Sequence, residues 1–300
     1  ENTTGDYNTA LGTRALQNNT TASRNTAVGY QSSYGNTTGS ANASVGYQAL
    51  YTNTTGAENT ALGDQSLYLN TTGNGVTGLG RFALYANTTG NYNTAVGLQS
   101  LVSNTTASAH TAIGYQAAYS TVNSTTYAIT ALGYQAAFNT TSGTQSTALG
   151  TQALFSNTTG SNVAIGNTTL YANTTGTGNT GLGMAALRYN TTTSNNTAVG
   201  HQSLYVNTGD NNTALGHRSL YNNTTGSLNA GISQSALYSN TTGNSNTAAG
   251  VNAMYLNTTG SSNVGLGKDA LRNNTTASNN TAVGYKAGYS NTTGDGNAAF

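Results

Sequence analysis

Along the chain, short apolar blocks alternate with polar ones at a fixed beat. In the stretch from 59 to 75, an Asn-Thr pair is followed by Ala61-Leu62-Gly63. A Leu-Tyr pair comes next (Leu67-Tyr68), and then a polar run opens at Asn70-Thr71-Thr72-Gly73. The block is too short and too rich in Gly and β-branched residues for a helix, where Gly costs about 1 kcal/mol in the interior. Two short strands fit it, T-A-V-G-Y-Q and A-L-Y, with the N-T-T-G-S-N segment as a turn whose Gly and Asn tolerate positive φ. Period-two alternation groups places two, four and six on one face and three, five and seven on the other.

The beat is a tandem repeat. Anchored on the N-T-A-[VLI]-G block, copies start at Asn8, Asn25, Asn42, Asn59, Val76, Asn93, His110, Ile129, Ser146, Asn162, Asn179, Asn196, Asn212, Asn229, Asn246, Asn263, Asn280 and Asn297, and fourteen of the seventeen intervals are 17 residues. The unit is N-T-A-V-G-Y-Q-A-L-Y-S-N-T-T-G-S-N, counted below as places one to seventeen. Each place keeps its own size. The third is only Ala, Gly or Ser, the fourth is apolar from Leu11 to Val283, the fifth is Gly except at Ser233, and the tenth is aromatic in 13 of 17 copies. A disordered polar linker has no reason to hold such places.

These features predict an all-β fold, a parallel β-solenoid or β-roll of about 17 coils with two short strands per coil. Stacked at about 4.8 Å, the coils would make a rod roughly 80 Å long. We expect one continuous array over 1–300, a window of a longer fibre, with irregularities near 118–128, 155–162 and 205–212. The fourth-place aliphatic and the ninth-place Leu are the expected interior pair. That is a sparse core against about 1 to 2 kcal/mol of backbone entropy per ordered residue. The small residues at places three and five fit either a narrow bend within one coil or close packing of parallel chains around a common axis.

Composition sharpens this picture. Only 5% of the residues are charged, against roughly a quarter in a typical soluble domain, and the net charge is +1 with no run of either sign. Nucleic-acid binding needs a clustered basic surface, and the chain has none. With no cysteine there is neither a disulfide framework nor a thiolate metal site. No apolar run approaches the roughly 20 residues of a membrane span, so membrane insertion of this segment is not expected.

Two rows of Asn differ in the residues on their C-terminal side. The first-place Asn precedes Thr-Ala or a similar pair and suits a structural ladder of side-chain amides; Asn42, in N-A-S, is the exception. The other row stands in N-T-T or N-S-T sequons at Asn2, Asn19, Asn36, Asn53, Asn70, Asn87, Asn104, Asn123, Asn139, Asn157, Asn173, Asn190, Asn223, Asn240, Asn257, Asn274 and Asn291, and only Asn207, in N-T-G, fails. In a predicted turn these are expected to be exposed acceptors for covalent N-linked glycans. Further sequons at Asn18, Asn195, Asn211, Asn222, Asn273 and Asn279 crowd the same region.

The tenth-place aromatics, Tyr34, Tyr51, Tyr68, Tyr85, Tyr119, Tyr171, Tyr205, Tyr221, Tyr238, Tyr255 and Tyr289, form a candidate ladder for stacking sugars. Against catalysis, Glu58, Asp64, Asp210 and Asp269 fall at different places of different coils, so no paired acid and base recurs. His110 stands at a first place and His201 and His217 at sixth places, with no carboxylate partner. Neither a metal site nor an enzyme is expected. An ice-binding solenoid is a minor alternative: it would need two outward Thr separated by one residue, whereas the paired Thr here are adjacent.

The block N-T-A-[VI]-G-Y-Q-A, as in Asn25 to Ser32, Asn93 to Ser100 and Asn280 to Ala287, resembles the head repeats of trimeric autotransporter adhesins and of related bacterial surface and phage tail-fibre-like proteins. The resemblance covers the whole chain at motif level, though the period here is longer than the commonest head repeat. It implies a trimeric left-handed β-roll. The expectation is a structural or adhesive extracellular or cell-surface fibre that self-associates, as a homotrimer by that resemblance, with a carbohydrate- or receptor-recognising fibre as the alternative.

Overall fold

The computed structural model describes residues 2–122, 128–141 and 145–300. It contains two compact units, Glu1–Thr151 and Gln152–Phe300. Each unit is a parallel β-solenoid.

In the first unit, three-residue strands recur from Thr9–Leu11 to Thr147–Leu149, one per coil among the described residues. Neighbours pair in register, Thr26 with Ala43, Ala27 with Ser44 and Val28 with Val45. The pairing of Thr111 with Thr130 holds across the 19-residue interval, whose residues 123–127 lie outside the described set. The second unit repeats the plan from Val163–Ile165 to Ala298–Ala299, with Val163 opposite Thr180 and Ala164 opposite Gly181. No helix among the described residues is long and apolar enough to cross a membrane.

The coil has one strand where two were expected. Places six to eleven form a turn in which places seven and nine are left-handed, for example Gln48 at φ 49° and Leu50 at φ 55°. An extended strand would send places eight and nine to opposite faces. The alternating backbone sends both inward, so Ala49 and Leu50 are each fully buried. The cost of left-handed non-Gly residues, roughly 1–2 kcal/mol each, is offset by inter-coil bonds on the same residues. The Leu50 N–H donates to the Ser66 carbonyl at 2.9 Å and the Gln48 N–H to the Tyr30 carbonyl at 2.9 Å.

The expected interior pair is also corrected. Leu67, Leu84 and Leu101 at place nine are fully buried, but the fourth place faces out: Leu62 is 49% exposed, while Ala61 beside it is 1% exposed. The reason is volume. Where place three is Gly78, a Cβ would stand 2.6 Å from Ser66 Oγ and 3.2 Å from Leu67 Cγ. The small third place therefore faces the core because places eight and nine already fill it. Of the two uses foreseen for small residues, the tight interior is the one seen within each coil.

Gly at place five meets the next coil's backbone. Gly63 has φ +132°, and a Cβ on it would lie 2.7 Å from the Gly80 carbonyl carbon. Gly takes this conformation at so close an approach without a Cβ to clash; Ser233, at φ 107°, is the one non-Gly residue at this place.

Candidate functional surfaces

The two Asn rows both lie inside the coils. At place one, the Asn42 N–H donates to Asn25 Oδ1 at 2.9 Å, and Asn42 Nδ2 reaches the Gly56 carbonyl at 2.9 Å. At place twelve, Asn53 Nδ2 donates to Asn36 Oδ1 at 2.7 Å and to the Gly56 carbonyl at 2.8 Å. The same rung recurs from Asn70 to Asn53 and from Asn87 to Asn70, and in the second unit from Asn240 to Asn223 and from Asn257 to Asn240. A peptide-like amide left unpaired in the interior costs about 1–3 kcal/mol, and the ladder pairs these amides from coil to coil, with Asn25 Nδ2 and Asn104 Oδ1 the buried exceptions among the described residues.

This overturns the outward orientation expected of the sequon row. Asn36, Asn53, Asn70, Asn87, Asn104, Asn157, Asn173, Asn190, Asn223, Asn240, Asn257 and Asn274 are fully buried and Asn19 is 1% exposed, while Asn139 and Asn291 are half-buried and Asn2 is exposed. An N-linked sugar would have to occupy the Nδ2 position inside the closed core. Asn139 stands one place early, and Thr140 is the buried twelfth-place residue of its coil, as Thr121 is of the coil before it. Asn123 lies outside the described residues. The clue in the sequence was Asn207. It keeps its rung, donating to Asn190 Oδ1 at 3.0 Å, although its sequon is lost. Its 16-residue coil omits the fourteenth place and spares the ladder. Among the additional sequons, Asn18, Asn195, Asn211 and Asn279 are exposed and Asn222 and Asn273 half-buried.

The tenth-place aromatics stack on one another. Ring centroids of Tyr34, Tyr51, Tyr68 and Tyr85 succeed one another at 5.1–5.2 Å with interplanar angles of 3–10°. Tyr205, Tyr221, Tyr238 and Tyr255 do so at 5.0–5.1 Å, and Tyr119 and Tyr171 stack on Phe138 and Phe155. Where Arg272 takes the place, its guanidinium lies over Tyr255 and Tyr289. Burial, with the neighbouring phenols of Tyr51 and Tyr85, pushes the Tyr68 hydroxyl above its ordinary pKa. A sugar stacks on a ring face, and within each run those faces are covered by the next ring. The ladder offers edges to solvent, which corrects the expected sugar platform.

His201 and His217 stack at 5.4 Å. The His217 pKa is lowered by partial burial first, then by Arg218 and His201. No group of three His, Asp or Glu among the described residues could hold a metal ion.

His110 replaces a first-place Asn. Its Nδ1 accepts from the Ile129 N–H at 3.1 Å, and burial lowers its pKa from 6.5 to about 4. In this range the unfolded chain binds a proton that the fold excludes, so stability will fall as the pH drops from about 6.5 towards 4, by about 3 kcal/mol in all. Denaturant midpoints measured across this range will show that slope, and His110→Asn will remove it. An unchanged slope in the variant would place the acid sensitivity elsewhere.

The outer face carries the aliphatics that the sequence pattern assigned to the core. At place four of the first unit Val45, Leu62, Ile113, Leu132 and Leu149 are 38–49% exposed, and in the second Leu182, Leu215, Ile232, Leu266 and Val283 are 36–44% exposed. Beside them at place six stand Tyr47, Leu98, Tyr115 and Tyr134, then Met184 and Tyr285, exposed as well. No family model matches the chain, and no curated protein does.

Proposed function

We propose that the chain is a segment of a structural, extracellular fibre in which copies of the solenoid associate side by side through the fourth-place face. The observation that carries this is the row of fourth-place aliphatics, present in every complete coil but the one with Ala249, and flanked in part by exposed sixth-place Tyr47, Tyr115, Tyr134 and Tyr285. Soluble monomers rarely leave so extended an apolar stripe in water. Because the row repeats with the coil, a second copy in matching register meets like with like along its length. The resemblance of the N-T-A-V-G block points to three chains. Shielding of the surface falls to neutral polar side chains and not to sugars on the buried Asn row.

Sedimentation equilibrium tests this. The chain should sediment as a multiple of 30.4 kDa. A variant carrying Leu62→Lys, Leu79→Lys, Val96→Lys and Ile113→Lys should shift toward the single-chain mass while keeping its β circular dichroism. A wild-type chain that stays at the single-chain mass at every concentration refutes the proposal.

A further inference from the structure

A third polar ladder runs along a different face, at place sixteen. The Ser23 N–H donates to Ser40 Oγ at 3.1 Å, the Asn74 N–H to Asn91 Oδ1 at 2.8 Å and the Asn91 N–H to Ser108 Oγ at 2.9 Å. Each of these side chains is held by the coil beside it. Place fifteen points inward: a Cβ on Gly73 would stand 3.0 Å from Asn87 Nδ2. Places fourteen and sixteen therefore flank an inward residue and face outward together, two residues apart. Thr38, Thr55, Thr72 and Thr89 at place fourteen are exposed. The thirteenth-place Thr is taken up in the backbone, as Thr71 Oγ1 donates to the Thr88 carbonyl at 3.0 Å. The adjacent Thr pair thus conceals an outward Thr-x-polar pair in each coil of this stretch but one, where Ala57 takes place sixteen.

We infer that this face, from Thr21 to Ser108, binds ice. In-register coils repeat its groups at the inter-strand spacing of about 4.8 Å, and no charged residue falls at places thirteen to sixteen over that stretch. Ice is uncharged and presents hydrogen-bonding sites on a fixed lattice. A complementary face needs hydroxyls and methyls already ordered at regular spacing, because ordering them on contact would consume the binding energy. The side-chain-to-backbone bonds at places thirteen and sixteen provide that order. A crystalline polysaccharide would instead be gripped by open aromatic faces, and the tenth-place faces are covered.

The test is ice growth in the presence of the 300-residue chain. Faceted crystals and thermal hysteresis are expected. Both should be lost in a variant carrying Thr38→Lys, Thr55→Lys, Thr72→Lys and Thr89→Lys, which alters solvent-facing side chains only and should leave circular dichroism and melting unchanged. The Lys variant of the fourth-place face should retain both, so the outcome is separate from that of the assembly proposal. Unfaceted growth with the wild type overturns the inference, as does faceting that survives the Thr substitutions. So does Thr-dependent binding to microcrystalline cellulose without any effect on ice.

Discussion

Replacing Asn70 by Ala will lower the stability of its unit by about 3 to 5 kcal/mol. Asn70 Nδ2 donates to Asn53 Oδ1 at 2.9 Å, and Asn70 Oδ1 accepts from Asn87 Nδ2 at 2.8 Å. Truncation strands an acceptor on one side and a donor on the other, both fully buried, at about 1–3 kcal/mol each. The vacated volume adds a further share. The Gly73 carbonyl keeps its bond from Asn59 and contributes little. Asn70→Asp, nearly the same in shape, should be worse at neutral pH, because a carboxylate would face Asn53 Oδ1 acceptor to acceptor in the interior. Urea midpoints, with hydrogen exchange to localise the loss to adjoining coils, will measure it. An exposed glycan acceptor would give the opposite pattern, with a change in mass on mutation and a midpoint within about 0.5 kcal/mol of wild type. An unchanged midpoint would return this row to the surface.

That experiment also marks where the sequence stopped being legible. The period, the register and the size class of each place could be read directly, because in a stacked array every residue meets its own kind one coil away. Which apolar place faced the core could not. In T-A-V, Ala and Val are both apolar, and a strand of three residues fits the alternation in either phase. The phase is set by Leu67 and its equivalents, which occupy the interior from a left-handed turn that a Leu in the sequence does not announce. N-T-T-G is ambiguous in a comparable way, since a sequon and an inward amide rung are spelled identically. Asn207, retained where the sequon fails, separates the two spellings.

Gly63→Ala should be about as disruptive as the loss of a rung, costing at least about 4 kcal/mol and uncoupling the coils on either side. At φ +132°, a side chain is strained whatever the space, at about 1–3 kcal/mol. The added methyl would also lie 2.7 Å from the Gly80 carbonyl carbon and 2.8 Å from its oxygen. Those atoms are backbone, held in register by the strand pairing on both sides, so they can yield only by breaking it. The chain holds the converse experiment at Ser233, where a non-Gly residue occupies the fifth place at φ 107° and its N–H presses to 2.6 Å of the Leu215 carbonyl. Ser233→Gly should raise the stability of its coil by about 1 kcal/mol, the strain relieved exceeding the backbone entropy Gly adds to the unfolded chain. Thermal melts of the two variants should therefore move in opposite directions. A Gly63→Ala chain that melts with the wild type would mean that neighbouring coils are not held as closely as the fifth-place glycines require.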